Sequence, residues 1–227
     1  MSPTDTLELA PAQDERRPGE TAQHWVFRCL RRTVMTGRLP PGRPVTIRGL
    51  AQALGVSPMP VREALGRLVA ERALLLLDNR RVRVPDMTPQ RFTELVAARV
   101  LLETEAAARA LTSIDAPALA RLEALNALSD AAAAAGDIER IIETNLAFHG
   151  ALYGARPDAV LLPLIESVWL QIGPFMRLAI ADLARSYPVD RHAQALAAIR
   201  AGDEADLRRA IEADIRDGIG HLAAHTF

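Results

Sequence analysis

The stretch from Leu50 to Leu68, LAQALGVSPMPVREALGRL, narrows the fold more than any other part of the chain. Leu50, Ala53 and Leu54 share one helical face; Val61, Ala64, Leu65 and Leu68 share another. Between the two runs, Gly55 can take the positive φ that closes a helix. Ser57 suits the N-cap of the next helix, and Pro58 suits its first position, where a missing N–H costs nothing. Helix, tight turn, helix is the plan of a helix-turn-helix, whose second helix can enter the DNA major groove. An ordinary αα-hairpin reads the same way, so the rest of the chain must decide.

Charge is the next constraint. The 227 residues carry a net charge of −1, unevenly spread. Residues 20–86 hold twelve Arg against five acidic residues, residues 87–227 hold thirteen against nineteen, and residues 1–19 hold two against four. A basic unit joined to an acidic one fits a nucleic-acid-binding module followed by a separate second domain. Aromatics are only 4% of a chain that is 49% hydrophobic, so the core must be mostly Leu, Ala, Val and Ile, which suits packed helices. A single cysteine, Cys29, excludes an internal disulfide and a CxxC zinc site. No apolar run approaches the ~20 residues of a membrane span. The start, MSPTDTLELAPAQDERRPGE, lacks the basic and apolar segments of a secretion signal. These features predict a cytoplasmic chain without a membrane partner, led by a disordered tail over residues 1–19.

Spacing predicts an amphipathic helix over about 20–37, with Trp25, Cys29 and Val34 among its apolar positions and Gly37 at its end. After the two helices of the opening stretch, ALLLLDNRRVRVP reads as a short β-hairpin turning at Asp78-Asn79. Three helices and a hairpin make a winged helix-turn-helix over 20–86, with arginines 80, 81 and 83 on the wing. Pro85 and Pro89 mark the boundary. Beyond it, helices are expected at about 90–112, 116–135, 138–155, 159–184, 189–201 and 204–224, with Asp115, Asp137, Asp158 and Asp203 as their caps. Residues 87–227 are therefore expected to form an all-α bundle of about six helices, in a chain that is mainly α.

Those residues carry a family resemblance. The segment TGRLPPGRPVTIRGLAQALGVSPMPVREAL resembles the DNA-binding domain of GntR-family bacterial transcription regulators, through Gly37, Pro41-Gly42, Leu50-Ala51, Leu54 to Ser57, and Pro60 to Leu65. The second domain resembles the helical FCD ligand-binding domain of the FadR-type subfamily, through RVLLETEAAARAL, NLAFHGALY and HAQALAAIRAGDEADLRRAIEADI. The resemblance implies that Arg48, Ser57, Pro60 and Arg62, with Arg80 and Arg81 on the wing, form the DNA-binding set. Arginine suits the task because its planar fork can donate two hydrogen bonds to one guanine. Two departures stand out: Pro58 occupies a place where many relatives carry a basic residue, and the wing lacks their glycine-rich tip.

Asn145 and His149 lie one turn apart and share a helical face. The FCD pattern places Asp, His, His and His where this chain has Asn145, His149, His192 and Asp214, and so implies a divalent metal held by these four. One carboxylate is lost and another gained. Two imidazoles, a carboxylate and an amide oxygen suit Zn²⁺ and would accept Ni²⁺ or Mn²⁺. The resemblance also points Arg99 into a cavity as the clamp for a small carboxylate effector; by their position on the helix of Trp169, Gln171 and Arg177 are expected to line the same cavity. A surface Arg99–Glu103 pair at i, i+4 is the competing reading. The implied function is a ligand-responsive transcriptional regulator, a repressor of an organic-acid metabolism operon. It would act as a homodimer on a palindromic operator of double-stranded DNA and would not be an enzyme. A metal-dependent hydrolase and an effector-free architectural DNA-binding protein are the alternatives.

Overall fold

In the computed structural model, the described residues are 14–78, 81–183 and 190–219, without the side chains of 180–183. The chain is mainly α and divides into two units, Met1–Asp86 with Leu170–Phe175, and Met87–Trp169 with Met176–Phe227.

Unit 1 is built from α1 (Ala22–Met35), β1 (Val45–Thr46), α2 (Ile47–Leu54), α3 (Pro58–Ala70), β2 (Leu75–Leu76) and β3 (Arg81–Arg83). The turn behaves as its residues dictate. Gly55 closes α2 in the left-handed region at φ 66°, and Pro58 opens α3 behind the N-cap Ser57. The apolar faces of α1, α2 and α3 meet in one core around Val26, Cys29, Leu30, Leu50, Val61, Leu65 and Leu68. The hairpin is present, but the sheet has a third strand. Val45–Thr46 pairs antiparallel with β3, so the order is β1-β3-β2, with Val82 between Val45 and Leu76. A two-residue strand is too short to show alternation, so the sequence pattern does not reveal it.

The expected disordered tail needs correction over its last residues; residues 1–13 lie outside the described ones. Asp14 is docked on α1: its carbonyl accepts from Trp25 Nε1 at 2.6 Å, and its carboxylate holds Arg28 at 2.7 Å and Arg32. Arg28 also grips Glu20 at 2.9 Å, and that hydrogen bond holds the Glu20 carboxyl down at about 2. The sequence showed only polar residues here; the basic face of α1 orders them.

Unit 2 is helical throughout its described residues: α4 (Pro89–Leu111), α5 (Ala116–Ala135), α6 (Ile138–Tyr153), α7 (Leu161–Ile172, to Trp169 in this unit), α8 (Met176–Leu183), α9 (Arg191–Ala201) and α10 (Glu204–Ile219). Asp115 and Asp137 cap α5 and α6, and Asp203 accepts from the Asp206 N–H at the head of α10. Asp158 is not a cap. It sits at φ 54°, and α7 begins only at Leu161. Nor is 159–184 one helix: Gly173-Pro174 breaks it with a 3-10 turn, Gly173–Phe175. Proline removes an N–H from the ladder. Within unit 1, a Cβ on Gly173 would come to 2.6 Å from the Met35 carbonyl oxygen, so only glycine fits. In unit 2, α4 packs on α6 and α10, α9 packs on α5 and α10, and α8 packs on α6 and α10. This arrangement brings side chains of α4, α6, α9 and α10 to one interior point.

Candidate functional site

On α3, burial of Pro60, Val61, Ala64, Leu65 and Leu68 leaves Ser57, Pro58, Met59, Arg62, Glu63, Gly66 and Arg67 on the exposed side. Arg48 is exposed on α2. Among the described residues, neither Arg48 nor Arg62 makes an ion pair or hydrogen bond; in particular, Arg62 pairs with neither Glu63 nor Glu71. Ser57 makes no side-chain capping bond, which leaves its hydroxyl uncommitted at the helix start. Pro60 needs correction: the structure turns it into the core, so it shapes the first turn of α3 and does not face outward. On the wing, Arg81 is exposed, whereas Arg83 is bound by Asp86 at 2.6 Å and 2.9 Å. Arg80 lies outside the described residues.

The interior point of unit 2 joins the residues expected to hold a metal. His149 and His192 are buried, and their Nε2 atoms lie 3.3 Å apart. Asp214 reaches His149 Nε2 at 3.0 Å and His192 Nε2 at 3.8 Å. Asn145 approaches His192 Nε2 at 3.3 Å. One ligand atom from each of His149, His192 and Asp214 falls within 4.8 Å of the others. Phe148 fixes the second imidazole by stacking on it, with centroids 4.1 Å apart. Burial pushes His192 down to about 4, against the pull of Asp214. Burial alone would raise the Asp214 carboxyl, but hydrogen bonding and charge from His149, with His192 and Arg99, hold it at about 2. Near neutral pH one imidazole is therefore unprotonated beside an ionised carboxylate, the forms a metal requires. Two nitrogens and a carboxylate converging from three helices, with an amide alongside, fit a borderline divalent cation.

Arg99 is buried, as the pocket reading required, yet it also makes the i, i+4 pair of the competing reading. Its Nε donates to Glu103 Oε1 at 2.6 Å, in the interior and not at the surface. Glu103 is fully buried and also accepts from Tyr153 Oη at 3.0 Å and Trp169 Nε1 at 2.9 Å. Tyr153 Oη lies 2.9 Å from His149 Nδ1, so this polar network abuts the metal-candidate cluster. Sequence reasoning missed Glu103, Tyr153 and Trp169 as parts of the site. Only the 145, 149, 153 spacing on one helical face hinted at the tyrosine. Arg177 reaches Glu139 at 3.1 Å, and half-buried Gln171 lies in the segment grouped with unit 1. The cluster is built without either.

Comparison with known proteins matches both units. The FCD domain family matches residues 94–217, and "Bacterial regulatory proteins, gntR family" matches residues 23–84. The HTH-type transcriptional regulator McbR of Escherichia coli (strain K12) is 31% identical over 196 residues, covering 85% of this chain and 89% of its own length. A solved structure of E. coli McbR/YncC superposes with a TM-score of 0.85 at 29% identity, covering 91% of this chain and 99% of that one. A GntR-family transcriptional regulator from Pseudomonas syringae pv. tomato str. DC3000 gives a TM-score of 0.51 at 25% identity, covering 95% and 92%. Among the described residues, no helix is long and apolar enough to cross a membrane. The chain belongs to the gntR family of bacterial regulatory proteins, with a winged helix-turn-helix followed by an FCD domain, and is a DNA-binding, ligand-responsive transcriptional regulator.

Proposed function

We propose that the protein is a dimeric repressor that lays α3 in the major groove of each half of a palindromic operator and is released by a small carboxylate bound in unit 2. The observation that carries this reading is the convergence of His149, His192 and Asp214 at a buried point. Zn²⁺ is the cation that the donor set fits best, with Ni²⁺ and Mn²⁺ as substitutes. Bound there by His149, His192, Asp214 and Asn145, it supplies a Lewis-acidic position for the effector carboxylate. Arg99 adds positive charge beside Asp214 while staying anchored to Glu103. The decisive experiment is operator binding by fluorescence anisotropy with and without candidate organic acids. A carboxylate that weakens operator binding of zinc-loaded protein, but leaves a His192→Ala variant unmoved, supports the reading. Turnover of the acid without any change in DNA binding would favour the hydrolase.

On DNA, Arg62→Ala is expected to weaken operator binding by about 1–3 kcal/mol and relax specificity at one base position, because a bidentate base contact is lost. Anisotropy on wild-type and single-base-changed operators measures both. Undiminished affinity would remove α3 as the reading helix. Arg48, Ser57 and Arg81 are proposed to meet phosphates, which anchor without reading sequence.

The second unit is proposed to hold the dimer together. Leu101, Leu128, Val160, Leu164 and Leu178 are all exposed on it, with Leu101 and Val160 more than 70% so. Residues 20–86 are basic and would repel their copy. Residues 88–227 expressed alone should sediment as a dimer; a monomer would refute this assignment.

A further inference from the structure

We infer that Tyr153 and Glu103 form a relay that keeps a proton on His149 Nδ1 and thereby aims the Nε2 atom of that imidazole at His192 and Asp214. Its consequence for metal affinity rests on the metal reading above; its geometry does not.

Glu103 Oε1 accepts from Arg99 Nε at 2.6 Å and Trp169 Nε1 at 2.9 Å. Oε2 accepts from Tyr153 Oη at 3.0 Å, with Arg99 Nη2 at 3.4 Å. A carboxylate paired with a guanidinium has only lone pairs to offer. The single phenol proton of Tyr153 therefore goes to Glu103. What remains toward His149 is a phenol lone pair, 2.9 Å from Nδ1. An unprotonated Nδ1 would set two acceptors face to face in a buried place, each unsatisfied. Nδ1 must carry hydrogen.

With Nδ1 committed to the phenol oxygen, Nε2 is the atom turned to the point shared with His192 Nε2 and Asp214, and in the metal-free protein it donates to Asp214 Oδ2 at 3.0 Å. A cation at the shared point would take the place of that Nε2 hydrogen, and Nδ1 would keep its own. The arrangement has the logic of the carboxylate–histidine pairs that orient metal ligands, lengthened by one phenol. Tyr153 and Glu103 are positioning residues: neither reaches the shared point.

Tyr153→Phe removes the hydroxyl and keeps the ring, which packs 6.1 Å from Trp169 between centroids. In full-length, metal-free protein with ¹⁵N-labelled histidine, nitrogen chemical shifts report which ring atoms of His149 carry hydrogen. Wild type is expected to show a protonated Nδ1, and Tyr153→Phe an Nδ1 without hydrogen, its Nε2 still facing Asp214. Zinc affinity, measured by competition with a chromophoric chelator, should fall roughly 10–100-fold in Tyr153→Phe. Glu103→Gln gives a second reading. The amide oxygen is drawn to the two donors at the Oε1 place, which turns its NH₂ toward Tyr153. The phenol proton then swings to His149 Nδ1, and zinc affinity falls although the substitution is isosteric. An unprotonated Nδ1 in wild type overturns the relay. So does a Tyr153→Phe variant that binds zinc within twofold of wild type. If wild type binds no zinc at all, the metal reading is what fails, and the Nδ1 assignment alone decides the relay.

Discussion

Arg99→Ala is expected to destabilise the protein by roughly 3–5 kcal/mol, because it strands a buried carboxylate without its cation. Glu103 has no exposure, and its shortest bond is the 2.6 Å contact from Arg99 Nε. Burial opposes the charge on Arg99, but Glu103 outweighs burial and raises its pKa, so the guanidinium stays charged. Removing the partner leaves Tyr153 and Trp169 as the donors to Glu103 among the described residues, and neither carries charge. Replacing the pair by apolar residues, as in Arg99→Met with Glu103→Leu, is often neutral for an isolated buried pair. Here it should not be. The Tyr153 hydroxyl and the Trp169 indole would lose their acceptor, at roughly 1–3 kcal/mol for each group left unsatisfied. Urea unfolding of the three proteins measures the order: wild type most stable, double variant next, Arg99→Ala least. A wild-type midpoint for Arg99→Ala would mean that the pair holds nothing together, and would restore Arg99 to the effector alone.

Zinc at a hundred to a thousand times its dissociation constant should stabilise the wild type by about 3–4 kcal/mol, by binding the folded state only. The ligands come from α6, α9 and α10, so no short segment of unfolded chain can reproduce the site. His149→Ala and His192→Ala should each lose this stabilisation, while α3, in the other unit, keeps its contacts to DNA. Asn145→Asp should strengthen binding, because a carboxylate replaces a weakly donating amide beside His192. Elemental analysis of protein purified without a histidine tag, together with melting curves at fixed zinc, tests all four proteins. Equal metal content and equal melting in wild type and His149→Ala would leave the four residues as a polar core cluster.

How much of this was legible beforehand follows the range of the forces involved. Caps and turns are local. Gly55, Asp115, Asp137 and Asp203 act on backbone groups within a few residues, and each does in space what its place in the sequence implies. The pairing of Asn145 with His149 is also local, since helical periodicity alone sets it. The Arg99–Glu103 pair was visible as a spacing for the same reason. Whether it lay inside or outside was not, because burial depends on what α6 and α7 bring against α4. The acceptor role of Glu103 toward Tyr153 and Trp169 spans 50 and 66 residues, and no periodicity encodes such a meeting. The docking of Asp14 on α1 across 14 and 18 residues, and the two-residue strand Val45–Thr46 on β3, depended in the same way on partners far along the chain. The sequence by itself therefore determined most of the helices, the caps at Asp115, Asp137 and Asp203, and the winged helix-turn-helix, though not the late start of α7 at Leu161 or the break at Gly173-Pro174. Only the tertiary structure decided that the arginine is committed to a carboxylate, that Pro60 faces inward, and that a tyrosine stands between that carboxylate and the histidine. The first set follows from interactions within a turn or two of backbone; the second exists only once distant helices exclude water from a common interior.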